Sequence, residues 1–193
     1  MNILLIGGTA SLTNKLIVKF KKEKHKVYLI TGQRYKYVYY EKVYERFDFP
    51  YDGESLGEIF KSVKPDVTLF LGALDSNFKW ENIQEETVHY SASLLNILMS
   101  YSMVGQGRFI YLSTAKLYKG DYDELITEET TAKEVDYYQS AMLRAEELCM
   151  SIGKIETWIL LLCEWTVCGM CLRPAQKSEI SVHRCVWKHW RRM

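Results

Sequence analysis

A glycine turn near the amino terminus is the strongest chemical signal in the sequence. Residues 2–6 form a short apolar run, and Gly7 and Gly8 follow it at once. Glycine lets a backbone approach a pyrophosphate closely, and a following helix offers the unpaired N–H groups of its first turn. This order is typical of the first βαβ unit of a nucleotide-binding sheet. The residues that would form the cradle are Gly7, Gly8, Thr9, Ala10, Ser11 and Leu12.

The turn departs from the usual dinucleotide-binding pattern at two positions. Ala10 and Thr13 stand where that pattern has its second and third glycines. Both side chains add bulk where the backbone is expected to approach the pyrophosphate and the neighbouring strand. The segment therefore predicts the fold more firmly than it predicts an activity.

Apolar strand patterns and helical patterns alternate along most of the chain. The predicted strands are 2–6, 26–31, 43–49, 66–73, 108–113 and 157–163, and the predicted helices are 12–22, 55–63, 85–102 and 137–151. In the third helix Val88, Ala92, Leu95 and Met99 recur at helical spacing. The alternation predicts an α/β fold with a Rossmann-like, doubly wound, mostly parallel sheet and helices on both faces.

Composition limits the classes of protein that the chain can belong to. Its 193 residues, with 48% apolar residues and a net charge of +1, predict one soluble domain with a sizeable core. Neither a nucleic acid nor a membrane is expected as a partner. The odd number of cysteines and the absence of a secretory pattern favour reduced thiols and a cytoplasmic location. Cysteine spacing matches no common zinc module, so no metal site is expected.

Four segments between residues 2 and 147 have the order and spacing of a known family. They are the turn at 7–13, the strand that ends in Gly72 and Ala73, the segment 112–118, and the tyrosine-containing helix 137–147. Together they resemble the NAD-dependent epimerase/dehydratase family, the extended short-chain dehydrogenases/reductases. The resemblance implies NAD or NADP as the cofactor, held by the turn and by Gly72 and Ala73. It also implies a nucleotide sugar as the substrate.

The resemblance further implies a Ser or Thr, a Tyr, and a Lys four residues after the Tyr whose charge lowers the tyrosine pKa. Thr114 matches the Ser/Thr position, and Tyr137 or Tyr138 matches the catalytic tyrosine. If Tyr137 is the catalytic tyrosine (the first register), Ser140 agrees with the family pattern. If it is Tyr138 (the second register), Glu146 agrees with it. The lysine is replaced by Ala141 or by Met142. Weakened or lost catalysis is therefore expected, unless another cation such as Lys116 assists the tyrosine.

Two more positions receive a role from the resemblance. NAD-selective relatives carry an acid after the second strand, where this chain has Arg34. A basic residue there can accept a 2′-phosphate, which favours NADP, although Arg34 also reads as an ordinary solvated loop residue. Asp48 matches an acid that often contacts adenine, and equally reads as an ordinary residue at a strand end.

The last part of the chain has no counterpart in the family. We expect a dinucleotide-binding domain over residues 1–170 and an irregular basic tail over 171–193, without the substrate lobe. A basic tail with aromatic residues is one that could bind anionic lipid or RNA, but we favour a truncated or shifted reading frame as its origin. An alternative function is a non-catalytic Rossmann-fold interaction or regulatory module, with a homodimer formed through the helices 85–102 and 137–151.

Overall fold

The computed structural model describes nine stretches of the chain. They are residues 1–8, 10–32, 39–50, 52–72, 83–104, 107–113, 115–118, 136–151 and 155–158. The predicted domain boundary at residue 170, the tail over 171–193 and the end of the last predicted strand lie outside these stretches.

Six strands form the central sheet. They are β1 (Asn2–Ile6), β2 (Lys26–Thr31), β3 (Glu45–Asp48), β4 (Val67–Phe70), β5 (Arg108–Leu112) and β6 (Ile155–Trp158). Their order across the sheet is β3-β2-β1-β4-β5-β6, and each neighbouring pair is parallel. The strand order reverses between β1 and β4, and a crevice opens at the carboxyl ends of strands that flank such a point. The predicted doubly wound α/β fold is confirmed.

Four α-helices connect and cover the strands. They are α1 (Ala10–Lys22), α2 (Gly53–Val63), α3 (Ile83–Val104) and α4 (Tyr137–Ser151), and a 3-10 helix spans Ala115–Tyr118. α1 and α2 begin two residues earlier than predicted. For α2 the reason is a cap, because the Asp52 carboxylate accepts a hydrogen bond from the Ser55 backbone N–H at 2.6 Å. That bond also lowers the pKa of Asp52.

Alternate side chains of each inner strand enter two different cores. Leu4 and Ile6 of β1 pack into a core with residues of α2, α3 and α4. Ile3 and Leu5 pack into a second core on the opposite face of the sheet, which includes residues of α1. Because both faces are covered, the inner strands are apolar along almost their whole length.

The apolar residues that recur along α3 lie on its outer side. Val88 is 65% exposed, Leu95 40% and Met99 51%, and Met103 continues the same row at 78%. The buried side consists of Leu94, Ile97, Leu98 and Tyr101. α3 carries apolar residues on two sides, and packing against α2, α4 and the core beneath the sheet decides which of them is buried.

The described part of the chain contains neither a membrane-spanning helix nor a cluster of metal-binding side chains. Within those residues no helix is both long and apolar enough to cross a bilayer. Among them also, no group of three or more His, Cys, Asp or Glu side chains is arranged to hold a metal ion.

Candidate functional site

The glycine turn after β1 meets the end of β4 backbone to backbone. Gly7 and Gly8 have φ values of 75° and 91°, a region that side chains disfavour. The Gly7 N–H donates to the Ile30 carbonyl at 2.9 Å. A Cβ added to Gly7 would lie 3.2 Å from both the Cα and the N of Gly72. Two predicted cofactor-binding glycines, Gly7 and Gly72, are thus brought into contact at the carboxyl edge of the sheet.

Thr13 fits inside this turn. Its side chain is fully buried, and its hydroxyl donates to the Gly7 carbonyl at 3.3 Å. A Cβ on Gly8 would lie 2.7 Å from Thr13 Oγ1 and 2.8 Å from Leu71 Cβ. The expected obstruction by Thr13 is therefore absent, because Gly8 leaves space for the threonine.

Only some of the remaining candidates for cofactor binding lie among the residues that the structure describes. α1 begins at Ala10, directly after the turn, with Ser11 exposed and Leu12 half-buried. Asp48 is exposed at the carboxyl end of β3, in register with Thr31 of β2. Other candidates lie outside the described residues, namely Thr9, Arg34, Ala73 and Thr114.

The two candidate tyrosines at the start of α4 have different surroundings. Tyr137 is 66% exposed, whereas Tyr138 is half-buried and packs against the core that contains α3 and α4. Ala141 and Met142, which occupy the lysine position in the two registers, are 3% and 0% exposed. Arg144 is exposed and pairs with Glu147 at 3.3 Å, so its charge is directed to the helix surface.

The first turn of α4 is fastened to the segment that follows β5. The Asp136 carboxylate accepts from the Gln139 backbone N–H at 2.8 Å and caps the helix. Gln139 is buried, and its side-chain amide donates to the Leu117 carbonyl in the 3-10 helix at 3.2 Å. This bond holds the start of α4, which carries Tyr138, against the 3-10 helix.

Two tyrosine hydroxyls that the sequence pattern does not reveal lie next to Gly72, just beyond the end of β4. The hydroxyl oxygens of Tyr90 on α3 and Tyr111 on β5 are 3.0 Å apart, and Tyr90 also donates to the Gly72 carbonyl at 3.2 Å. Burial is the main cause that raises the pKa of Tyr111, and burial also raises the pKa of Tyr90 well above its usual value. Both phenols are therefore neutral at physiological pH.

A carboxyl and a thiol on α4 lie next to these tyrosines. Burial raises the pKa of Glu146, and the nearby Ser113 hydroxyl partly offsets this. Within the described residues, however, Ser113 Oγ and Glu146 Oε1 make no hydrogen bond of acceptable geometry. Burial, together with the Glu146 charge, raises the pKa of Cys149 to about 12. In the sequence, these tyrosine, carboxyl and thiol groups are visible only as polar side chains within largely apolar segments. That pattern does not show which of them lie together.

Several solved structures share this fold. A UDP-glucose 4-epimerase superposes with a TM-score of 0.68 at 18% identity, covering 82% of this chain and 50% of its own. The UDP-Glc/GlcNAc 4-epimerase of Campylobacter jejuni gives 0.66 at 16% identity, over 90% and 59% of the two chains. The enzyme WbmH of Bordetella bronchiseptica, in complex with NAD+, gives 0.63 at 13%, over 81% and 54%. The chain thus spans about half the length of these proteins, and such identities establish the fold alone.

The sequence itself gives a family match. No curated protein matches the chain significantly. A family model, described as the NAD dependent epimerase/dehydratase family, matches residues 3–165, which is most of the chain. The segments that suggested the resemblance lie within this range, as do the glycine turn, Gly72 and the tyrosines of α4. The chain belongs to the NAD-dependent epimerase/dehydratase family.

Proposed function

We propose that this chain binds NAD or NADP at the carboxyl edge of its sheet and acts on nucleotide sugars, or descends from enzymes that do, with weakened or lost catalysis. The observation that carries the proposal is the contact between Gly7 and Gly72 where the strand order reverses. Structural neighbours support it: WbmG is in complex with NAD and UDP, and MoeE5 with UDP-glucose and NAD.

The backbone around the turn fits a dinucleotide. Side chains at Gly7 or Gly8 would collide with Gly72, Thr13 or Leu71, so only glycine keeps the backbone bare there. The first turn of α1 begins two residues after Gly8 and supplies N–H groups for a pyrophosphate. Asp48 would lie on the adenosine side, and Arg34 would favour NADP. A bound nicotinamide supplies the exchange of a hydride.

Loss of the lysine supports weakened catalysis. We assign the tyrosine position to Tyr138, because it faces inwards whereas Tyr137 faces solvent. Met142 then takes the position of the lysine and is fully buried. Tyrosine ordinarily has a pKa near 10, so accepting a proton at neutral pH requires a nearby cation. Without one, Tyr138 donates a hydrogen bond to a sugar hydroxyl but is a poor base.

Cofactor titration tests the binding part of the proposal. We expect NADH or NADPH to raise the melting temperature by several degrees, because a ligand at 100 times its Kd adds about 2.7 kcal/mol to the free energy of unfolding. Gly8→Ala should remove most of this shift, since its Cβ would lie 2.7 Å from Thr13 Oγ1. Gly57→Ala, whose Cβ meets only Val104 at 3.9 Å, is the matched control.

Two results would count against cofactor binding at the turn. One is the absence of a shift with either cofactor at millimolar concentration. The other is a folded Gly8→Ala variant that binds as tightly as the Gly57→Ala variant does.

A non-catalytic interaction module is the second candidate function, and one observation favours it. The outer side of α3 presents Val88, Leu95, Met99 and Met103, which we call the α3 stripe. Apolar surface of this kind on a helix is typical of an interface between proteins. We propose that two copies of this chain pair through α3 and α4, with or without a retained cofactor.

A further inference from the structure

Three aromatic side chains form a platform beneath the end of β4. Phe70 stacks on Tyr111 with ring centroids 5.9 Å apart, and Tyr90 lies 6.0 Å from Phe70 in a tilted arrangement. A Cβ added to Gly72 would lie 2.6 Å from Phe70 Cζ. The backbone of Gly72 therefore rests directly on this platform, and no larger residue would fit there.

Gly72 lies just beyond the regular pairing of the sheet. β4 ends at Phe70, and the next residue, Leu71, still donates its N–H to the Ile6 carbonyl at 2.8 Å. The Gly72 carbonyl instead accepts the Tyr90 hydroxyl at 3.2 Å. A side chain from α3 thus continues the hydrogen bonding of β4 at the point where the chain leaves the sheet.

The direction of the two hydroxyl bonds can be deduced. A carbonyl oxygen only accepts, so the single Tyr90 proton is used on Gly72. The bond between the two phenols then requires Tyr111 to donate to Tyr90. Removal of the Tyr90 hydroxyl would take this donor from the half-buried Gly72 carbonyl. It would also leave the proton of the fully buried Tyr111 without its acceptor, and an unmet hydrogen bond is costly there.

Glycine has more backbone freedom than any other residue, so a hydrogen bond to its carbonyl selects one conformation from many. At Gly72 that conformation places its Cα and N 3.2 Å from the position of a Cβ on Gly7. We propose that Tyr90 is a positioning residue that fixes the Gly72 backbone and, through it, the glycine turn of the cofactor crevice. The inference rests on the proposed cofactor binding.

The test compares two tyrosines of the same helix. In Tyr90→Phe, which keeps the ring of the platform, we expect NAD(P)H to bind about threefold to tenfold more weakly, the usual effect of one lost hydrogen bond. Tyr101→Phe is the matched control, because its hydroxyl donates to the Gly107 carbonyl at 2.8 Å at the amino edge of the sheet. Tyr111→Phe keeps the bond between Tyr90 and Gly72, and should bind cofactor as the wild type does.

Hydrogen exchange without cofactor provides an independent measurement. We expect peptides that contain the end of β4 to exchange several-fold faster in Tyr90→Phe, and at the wild-type rate in Tyr101→Phe. The inference would be overturned if Tyr90→Phe matched the wild type in both exchange rate and cofactor affinity. It would also be overturned if Tyr90→Phe and Tyr101→Phe lost cofactor affinity equally. If the wild type binds neither cofactor, the proposed function is wrong, whereas faster exchange confined to Tyr90→Phe still supports the positioning role.

Discussion

Glu146 is a half-buried carboxyl group on α4. Its described neighbours include Tyr111 on β5, Ser113 directly after β5 and Cys149 on its own helix, and none of these three carries a positive charge. Burial raises the pKa of Glu146 above its ordinary value of 4.5. The folded protein thus holds this proton more tightly than the unfolded chain does.

This shift predicts a pH-dependent difference between wild type and Glu146→Gln. From about pH 4.5 upwards, unfolding of the wild type releases the Glu146 proton, so its free energy of unfolding falls as the pH rises through the raised pKa. The glutamine has no proton to lose. We expect the melting temperature of Glu146→Gln, relative to wild type, to increase between pH 4 and pH 7.

The neighbouring Glu147→Gln variant separates burial from net charge. Glu147 is exposed and pairs with Arg144 at 3.3 Å. The same pH-dependent gain in Glu147→Gln would mean that the effect comes from one negative charge fewer rather than from the burial of Glu146.

At the scale of elements, α4 depends on contacts at its first turn. Asp136 caps the helix through Gln139 N–H, and the Gln139 side chain joins the helix to the 3-10 segment through Leu117. Tyr138, which we assign as the candidate tyrosine, directly precedes Gln139. Cap and amide together therefore set where this tyrosine lies relative to the carboxyl end of β5.

Removal of the cap tests this coupling. We expect Asp136→Ala to lower the free energy of unfolding by about 1 kcal/mol, because an N–H of the first turn loses its acceptor. We also expect faster hydrogen exchange in residues 115–118, measured on the same sample. Asp52→Ala removes the equivalent cap of α2, where Ser55 N–H donates at 2.6 Å. If it accelerates exchange in residues 115–118 as strongly, the coupling through α4 is refuted.

At the scale of the whole molecule, the α3 stripe is an apolar surface that the described part of the chain leaves exposed. Its first and last members, Val88 and Met103, are 15 residues apart in the sequence, which corresponds to about 22 Å along a helix. α3 packs against α4, whose exposed residues include Tyr137 and Met150. A long apolar row on one helix of an adjacent pair is the surface that a second copy of this chain would cover.

The α3 stripe therefore predicts self-association. We expect the wild type to be a dimer by light scattering at micromolar concentration and Leu95→Lys/Met99→Lys to be a monomer, because two lysines would have to lose water at the interface. Val18→Lys is the matched control, since Val18 on α1 is 39% exposed and Leu95 is 40% exposed. A monomeric wild type, or a control that dissociates equally, would contradict the prediction.

The amino-acid sequence by itself determined the order of the strands and helices, the parallel doubly wound sheet and the position of the glycine turn. The bounds of β1, β2 and α4 agree with the structure residue for residue, and most of the other elements differ by only two or three residues at an end. These features follow from apolar periodicity and from backbone preferences, both of which depend on residues near in sequence. The sequence also shows directly that no lysine stands four residues after Tyr137 or Tyr138.

Only the tertiary structure decided which side of α3 is buried, that Tyr138 rather than Tyr137 faces inwards, and that Thr13 fits beneath Gly8. It alone joined Tyr90 to Gly72, across 18 residues. The reason is physical: each outcome depends on which distant segments share a space, and one helix can present an apolar face in two directions until a neighbour covers one of them.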